Sequence, residues 1–82
     1  MRYFCGIDIG ASSAKLAIVD ETGKVVGRGL RRSGVDYAAV SEQILGDALA
    51  AAKLRREEIA RSVATGYGRD NVPWAHETMT EI

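Results

Sequence analysis

An apolar run from Tyr3 to Ile9 stops at Gly10-Ala11-Ser12-Ser13 and resumes from Ala14 to Val19, with a single acid, Asp8, at the end of the first half. Two β-forming runs separated by a few small residues read naturally as two strands joined by a tight turn, and the continuous apolarity of the first run predicts a strand central in its sheet. The next break, Asp20-Glu21-Thr22-Gly23-Lys24, joins a turn-forming Asp to a Gly able to take positive φ, and a third extended segment runs from Val25 to about Arg32. The expectation is a three-strand antiparallel meander with its first strand central.

After Ser33-Gly34 the period changes. Tyr37, Val40, Ile44, Ala48 and Ala52 recur at three- or four-residue intervals, widened by Leu45 and Leu49, which predicts an amphipathic helix. Asp36 is placed to cap its first turn, while Lys53, Arg55 and Arg56 suit the negative end of its dipole. Arg56-Glu57-Glu58-Ile59 reads as a short turn and Ser62 to Thr65 as a fourth strand ending at Gly66. The predicted order is βββαβ in an α/β fold. Gly68 to Ile82, with Pro73, reads as loop with a helix start near Thr80-Glu81.

The chain has 82 residues, 46% hydrophobic, so one small domain with a thin core is its upper limit. Eleven basic and eleven acidic residues cancel, leaving no net field to gather nucleic acid or an anionic membrane. Neither partner is expected. No stretch approaches a membrane span and the N-terminus turns polar too soon for a signal core, so a cytoplasmic location is expected. Cys5 is the sole cysteine and sits among apolar neighbours, reading as a small buried hydrophobe.

The chemistry concentrates in Gly6-Ile7-Asp8-Ile9-Gly10-Ala11-Ser12-Ser13-Ala14-Lys15. Gly10 allows close backbone approach to a phosphate, and successive N–H groups in such a turn make an anion-binding concavity. Ser12 and Ser13 add hydroxyl donors, Lys15 offers an ammonium to terminal phosphates, and Asp8 can hold a hydrated Mg²⁺. No Walker spacing is present. The alternative is that Asp8 and the small residues only shape a hairpin.

This motif resembles the first phosphate motif of the actin, sugar kinase and heat-shock chaperone superfamily, whose fold is ribonuclease H-like. The later strings Ala64-Thr65-Gly66-Tyr67-Gly68-Arg69 and Ala75-His76-Glu77-Thr78-Met79-Thr80-Glu81-Ile82 are similar to the activator ATPases of 2-hydroxyacyl-CoA dehydratases and benzoyl-CoA reductases. The resemblance implies a cytoplasmic homodimer that binds ATP or ADP with Mg²⁺ and holds one [4Fe–4S] cluster between its subunits. ATP hydrolysis would then drive electrons onto an acyl-CoA dehydratase or reductase. By motif match Asp8 belongs to the Mg²⁺ and phosphate site, and Gly10, Ser12, Ser13 and Lys15 contact phosphates. Ala11 departs from the expected serine but keeps its backbone N–H. Gly66, Gly68 and Arg69 form a turn at the edge where such sheets place ligands.

Several side chains carry two readings. Arg69 serves the nucleotide or a dimer interface, or pairs with Asp70. Tyr67 reads as packing, Trp74 as a partner anchor or a local core contact, and His76 as a solvated side chain. Because members of the resembled family are several times longer, residues 1–82 are expected to form the N-terminal part of one incomplete actin-like ATPase domain. The second phosphate motif, the adenosine segment and the cluster-ligating cysteines would lie beyond Ile82. Two other functions stay open: a small-molecule kinase of the same superfamily, and a non-catalytic binding or assembly fragment.

Overall fold

The computed structural model describes residues 1–80. Five strands form one mixed sheet in the order β3-β2-β1-β4-β5, comprising β1 (Tyr3–Ile9), β2 (Ser13–Asp20), β3 (Val25–Arg32), β4 (Ile59–Thr65) and β5 (Glu77–Thr78). One helix, α1 (Tyr37–Ala52), connects β3 to β4. The meander is as expected: β1 is antiparallel to β2 with Asp8 opposite Lys15, and β2 is antiparallel to β3 with Ser13 opposite Arg32. β1 lies at the centre because β4 adds to its other edge in parallel, with Thr65 beside Asp8.

Strand alternation divides the sheet into two unlike faces. Ile7, Ile9 and Ile18 point toward α1, meet Ile44 and Ala48, and are all at most 1% exposed. Each such isoleucine contributes on the order of 1.5–3 kcal/mol by leaving water. Cys5 belongs to this layer and is 4% exposed, as read from its neighbours. The helix lies mainly across β3 and β2. It approaches that closely because β3 carries glycines where a side chain would collide: a Cβ on Gly27 would stand 2.5 Å from the Ala48 carbonyl oxygen, and one on Gly29 2.6 Å from Ile44 Cγ1. At the sheet's margin Arg31 also faces the helix, its Nε donating to Asp47 Oδ2 at 2.7 Å.

Both helix ends follow local chemistry. Asp36 takes extended backbone angles and its Oδ1 accepts from the Ala39 N–H at 3.0 Å. At the other end Lys53 is left-handed (φ 58°), with its N–H donating to Ala50 O at 3.2 Å and the Leu54 N–H donating to Leu49 O at 3.0 Å. This is a Schellman closure with lysine at the position glycine normally takes. Arg55 and Arg56 fall past the helix, where Arg56 starts a 3₁₀ turn (Arg56–Glu58) and pairs with Glu42.

The segment after Gly68 differs from the expected loop. Arg69–Asn71 form a 3₁₀ turn, and Glu77–Thr78 add β5 parallel to β4, Val63 opposite Glu77. His76 is exposed, as expected of a solvated side chain, yet it is tied to the sheet. Its Nδ1 accepts the Ser62 N–H at 2.9 Å while its own N–H donates to Ser62 O at 2.9 Å. Trp74 takes the local reading: it packs half-buried against the core, its Nε1 lacking an acceptor among the described residues. The helix start expected near Thr80-Glu81 lies partly outside the described residues, and Thr80 itself is not helical. Among the described residues no helix is long and apolar enough to cross a membrane.

Candidate functional site: the ends of β1 and β4

Two parallel neighbours, β1 and β4, end side by side, so the residues following each strand meet at one edge of the sheet. Asp8 sits there, half-buried, flanked by Lys15 of β2 on one side and Thr65 of β4 on the other. Cross-strand partners share a face, so Lys15, Asp8 and Thr65 form a row on the face opposite α1. That row lines an open concavity of about 690 Å³, together with Arg28, Leu30 and Met79.

The turn between β1 and β2 is tight and braced. The Gly10 N–H donates to Ser13 O at 2.9 Å, which closes the turn and occupies the amide that the sequence reading offered to a phosphate. Gly10 is therefore a turn former first. Ser33, buried at 2% exposure, donates its hydroxyl to Gly10 O at 2.6 Å and its N–H to Ser12 O at 3.1 Å. Ala11 and Ser12 are exposed at the tip, and among the described residues their amides have no protein acceptor. Ser13 opens β2, half-buried. Lys15 is exposed and forms no ion pair among the described residues. A turn with two free amides, a nearby hydroxyl and an ammonium presents donors without acceptors, which suits an anion.

The second turn folds onto the first strand. Gly66 has φ 91°, and a Cβ there would strike Asp8 Oδ1 and fall 2.6 Å from Ile9 O. The Gly68 N–H donates to Ile9 O at 2.9 Å, and a Cβ on Gly68 would meet Ile9 Cγ2 at 2.7 Å. Gly66 and Gly68 thus let the turn lie against the end of β1, with Gly66 directly beside the Asp8 carboxylate. Arg69 corrects one of its two readings: among the described residues no ion pair joins it to Asp70, and its Nη1 donates instead to Gly66 O at 3.1 Å, tying its own turn. Tyr67 corrects the packing expectation, being 75% exposed with only an edge-on contact to Tyr37 at 6.1 Å.

Asp8, Ala11, Ser12, Ser13, Lys15, Gly66 and Gly68 thus lie at one edge of the sheet, joined there by Thr65 and Ser33, to which the sequence motifs assign no site role. Thr65 was legible only once β4 was known to pair with β1 in that register. Ser33 looked like a loop serine, and nothing local signals that its hydroxyl supports a turn 23 residues earlier.

A hydrated Mg²⁺ with phosphates fits this edge, since the half-buried carboxylate of Asp8 and the unsatisfied donors of the turn have complementary charge. An iron–sulfur cluster does not fit. The one thiolate candidate, Cys5, lies in the core with its pKa pushed up by burial to about 12, and among the described residues no group of three His, Cys, Asp or Glu could hold a metal.

Comparison with known proteins gives a consistent picture. Residues 5–82 match the profile of the BadF/BadG/BcrA/BcrD ATPase family. The activator of lactoyl-CoA dehydratase from Anaerotignum propionicum is 32% identical over 80 residues, covering 98% of this chain and 30% of that protein. Among solved structures, the Acidaminococcus fermentans (R)-2-hydroxyglutaryl-CoA dehydratase component A superposes with a TM-score of 0.86 at 27% identity, covering 98% of this chain and 31% of the other. The activator of the 2-hydroxyisocaproyl-CoA dehydratase from Clostridium difficile, with bound ADPNP, gives 0.81 at 28% identity, covering 95% and 29%. The chain thus spans just under a third of the length of these relatives, and its fold is that of an incomplete actin-like ATPase domain.

Proposed function

The chain belongs to the BadF/BadG/BcrA/BcrD ATPase family, and on that premise we propose that it forms the phosphate-binding wall of an ATP-hydrolysing activator of an acyl-CoA dehydratase. The observation that carries this reading is the closure of Gly66 and Gly68 onto the end of β1 beside Asp8, which unites two sequence-distant motifs at one sheet edge.

In this reading the Ala11 and Ser12 amides donate to phosphate oxygens, the Lys15 ammonium balances the terminal charge, and Asp8 holds Mg²⁺ through water. The cation supplies neutralisation of the triphosphate. Thr65 adds a hydroxyl next to Asp8. The partner is a 2-hydroxyacyl-CoA dehydratase, as for the relatives, and the whole protein acts as a cytoplasmic homodimer. Electron transfer through a [4Fe–4S] cluster, implied by the resemblance, would draw on ligands other than those of this chain, since Cys5 does not suit the role.

The test is an equilibrium titration of the full-length protein, in which residues 1–82 supply this wall, with ATP, with and without Mg²⁺. Binding in the wild type, weakened roughly tenfold in Lys15→Ala and stripped of its Mg²⁺ dependence in Asp8→Asn, is the expected result. A full-length wild-type protein without ATP affinity refutes the assignment.

A further inference from the structure

The phosphate turn has a neighbour that neither the motif nor the family match assigns. Arg32 is the last residue of β3, and the β2–β3 register sets it opposite Ser13, the residue that leaves the turn. Its orientation follows from the flanking positions. Arg31 reaches Asp47 on α1 and its cross-strand partner Ala14 is fully buried, so both lie on the helix face. Arg32, one residue on, projects from the opposite face, which is the face of Lys15, Asp8 and Thr65.

Its anchorage is rigid. Ser33 is bonded to the turn twice, through its hydroxyl to Gly10 and its amide to Ser12, so the backbone that carries Arg32 is fixed to the residues that would hold a phosphate. Cross-strand Cβ atoms stand roughly 5 Å apart, and an arginine side chain is long enough to cross that gap and reach beyond Ser13. Arg32 is exposed and enters no ion pair among the described residues, unlike Arg31, Arg55, Arg56 and Arg61. Arg28 shares the face but lies four residues further down β3, opposite Ala17, too far from the turn to serve it.

We propose that Arg32 is a second cationic contact for the terminal phosphates of the nucleotide, closing the flank of the turn that Lys15 leaves open. This rests on the phosphate-turn reading above and adds a residue to it. The planar guanidinium can grip a phosphate with two parallel hydrogen bonds, which an ammonium cannot.

The experiment is nucleotide titration of the full-length protein, which carries the adenosine segment as well, with ATP and with AMP, at about 0.05 M and about 0.5 M salt. Arg32→Ala should raise the Kd for ATP roughly tenfold at the lower salt, and Arg32→Lys roughly threefold. The gap between Arg32→Ala and wild type should narrow at the higher salt, because an exposed contact is screened. AMP binding, lacking the terminal phosphates, should change little, which a general loss of structure would not reproduce. If Arg32→Ala binds ATP like wild type while Lys15→Ala is weakened, the role of Arg32 is overturned and the phosphate turn stands. If wild type itself shows no ATP affinity, the turn fails and Arg32 with it.

Discussion

Replacing Gly66 by alanine tests whether the second turn is pressed against β1 as tightly as the geometry requires. Two costs add at that position. At φ 91° an L-residue is strained by roughly 1–2 kcal/mol. In addition the new methyl would fall 2.6 Å from Ile9 O and 2.9 Å from Ile9 C, as well as against Asp8 Oδ1. Two of those three atoms are backbone, so they cannot swing aside as a flexible side chain would, and overpacking of this kind costs roughly 1–3 kcal/mol. The sum is about 2–5 kcal/mol. Gly23 supplies the control, because its φ is 90° yet a Cβ there meets nothing within 4 Å. Gly23→Ala should therefore show the backbone cost alone, about 1–2 kcal/mol. Urea unfolding of both variants in the full chain measures the difference, and Gly66→Ala should exceed Gly23→Ala by about 1–3 kcal/mol. Because relief of the clash pushes against Asp8, Mg²⁺-dependent ATP binding should weaken in Gly66→Ala and not in Gly23→Ala. Equal destabilisation by the two substitutions would refute the close approach of the turn to β1.

Further outcomes concern the helix ends and the second turn. Asp36→Ala removes the acceptor of the Ala39 N–H and should destabilise by about 1 kcal/mol in the same unfolding assay, with Asp36→Ser recovering most of it. Lys53→Gly relieves a left-handed lysine in an otherwise complete Schellman closure, and should stabilise by about 1 kcal/mol; destabilisation would contradict that account. Asp20 accepts from the Thr22 hydroxyl at 2.5 Å and from the backbone N–H groups of Thr22 and Lys24, and these bonds, with the Lys24 charge, hold its carboxyl below the usual range. The lowered folded-state value means its contribution is complete above the unfolded pKa of about 4 and is lost as pH falls from there through the folded-state value. Unfolding measured from pH 6 down to pH 2 should therefore show an acid-side decline that is shallower in Asp20→Asn.

Much of the architecture was legible because it is written in short-range chemistry. The meander follows from alternation and turn residues in Tyr3–Arg32, and α1 from the Tyr37 to Ala52 period and the Asp36 cap. These depend on residues within a few positions of one another, so a linear reading captures them. β5 escaped it because two exposed residues, Glu77 and Thr78, carry no periodic signal, and they become a strand only by bonding to the free edge of β4.

The site divides along the same line. The acid-and-small-residue motif and the Gly66-to-Arg69 turn were each visible as strings, with the residue types that phosphate chemistry needs. Their junction was not, because the parallel pairing of β1 with β4 links residues more than 50 positions apart through a hydrophobic core that no local pattern encodes. Tertiary packing likewise decided that Gly10 spends its amide on the turn, that Ser33 braces it, and that Gly27 and Gly29 exist to admit the helix. Sequence by itself determined which elements form and which chemistry they carry. The register of strands brought together across the core determined which of those groups share one face at one edge of the sheet.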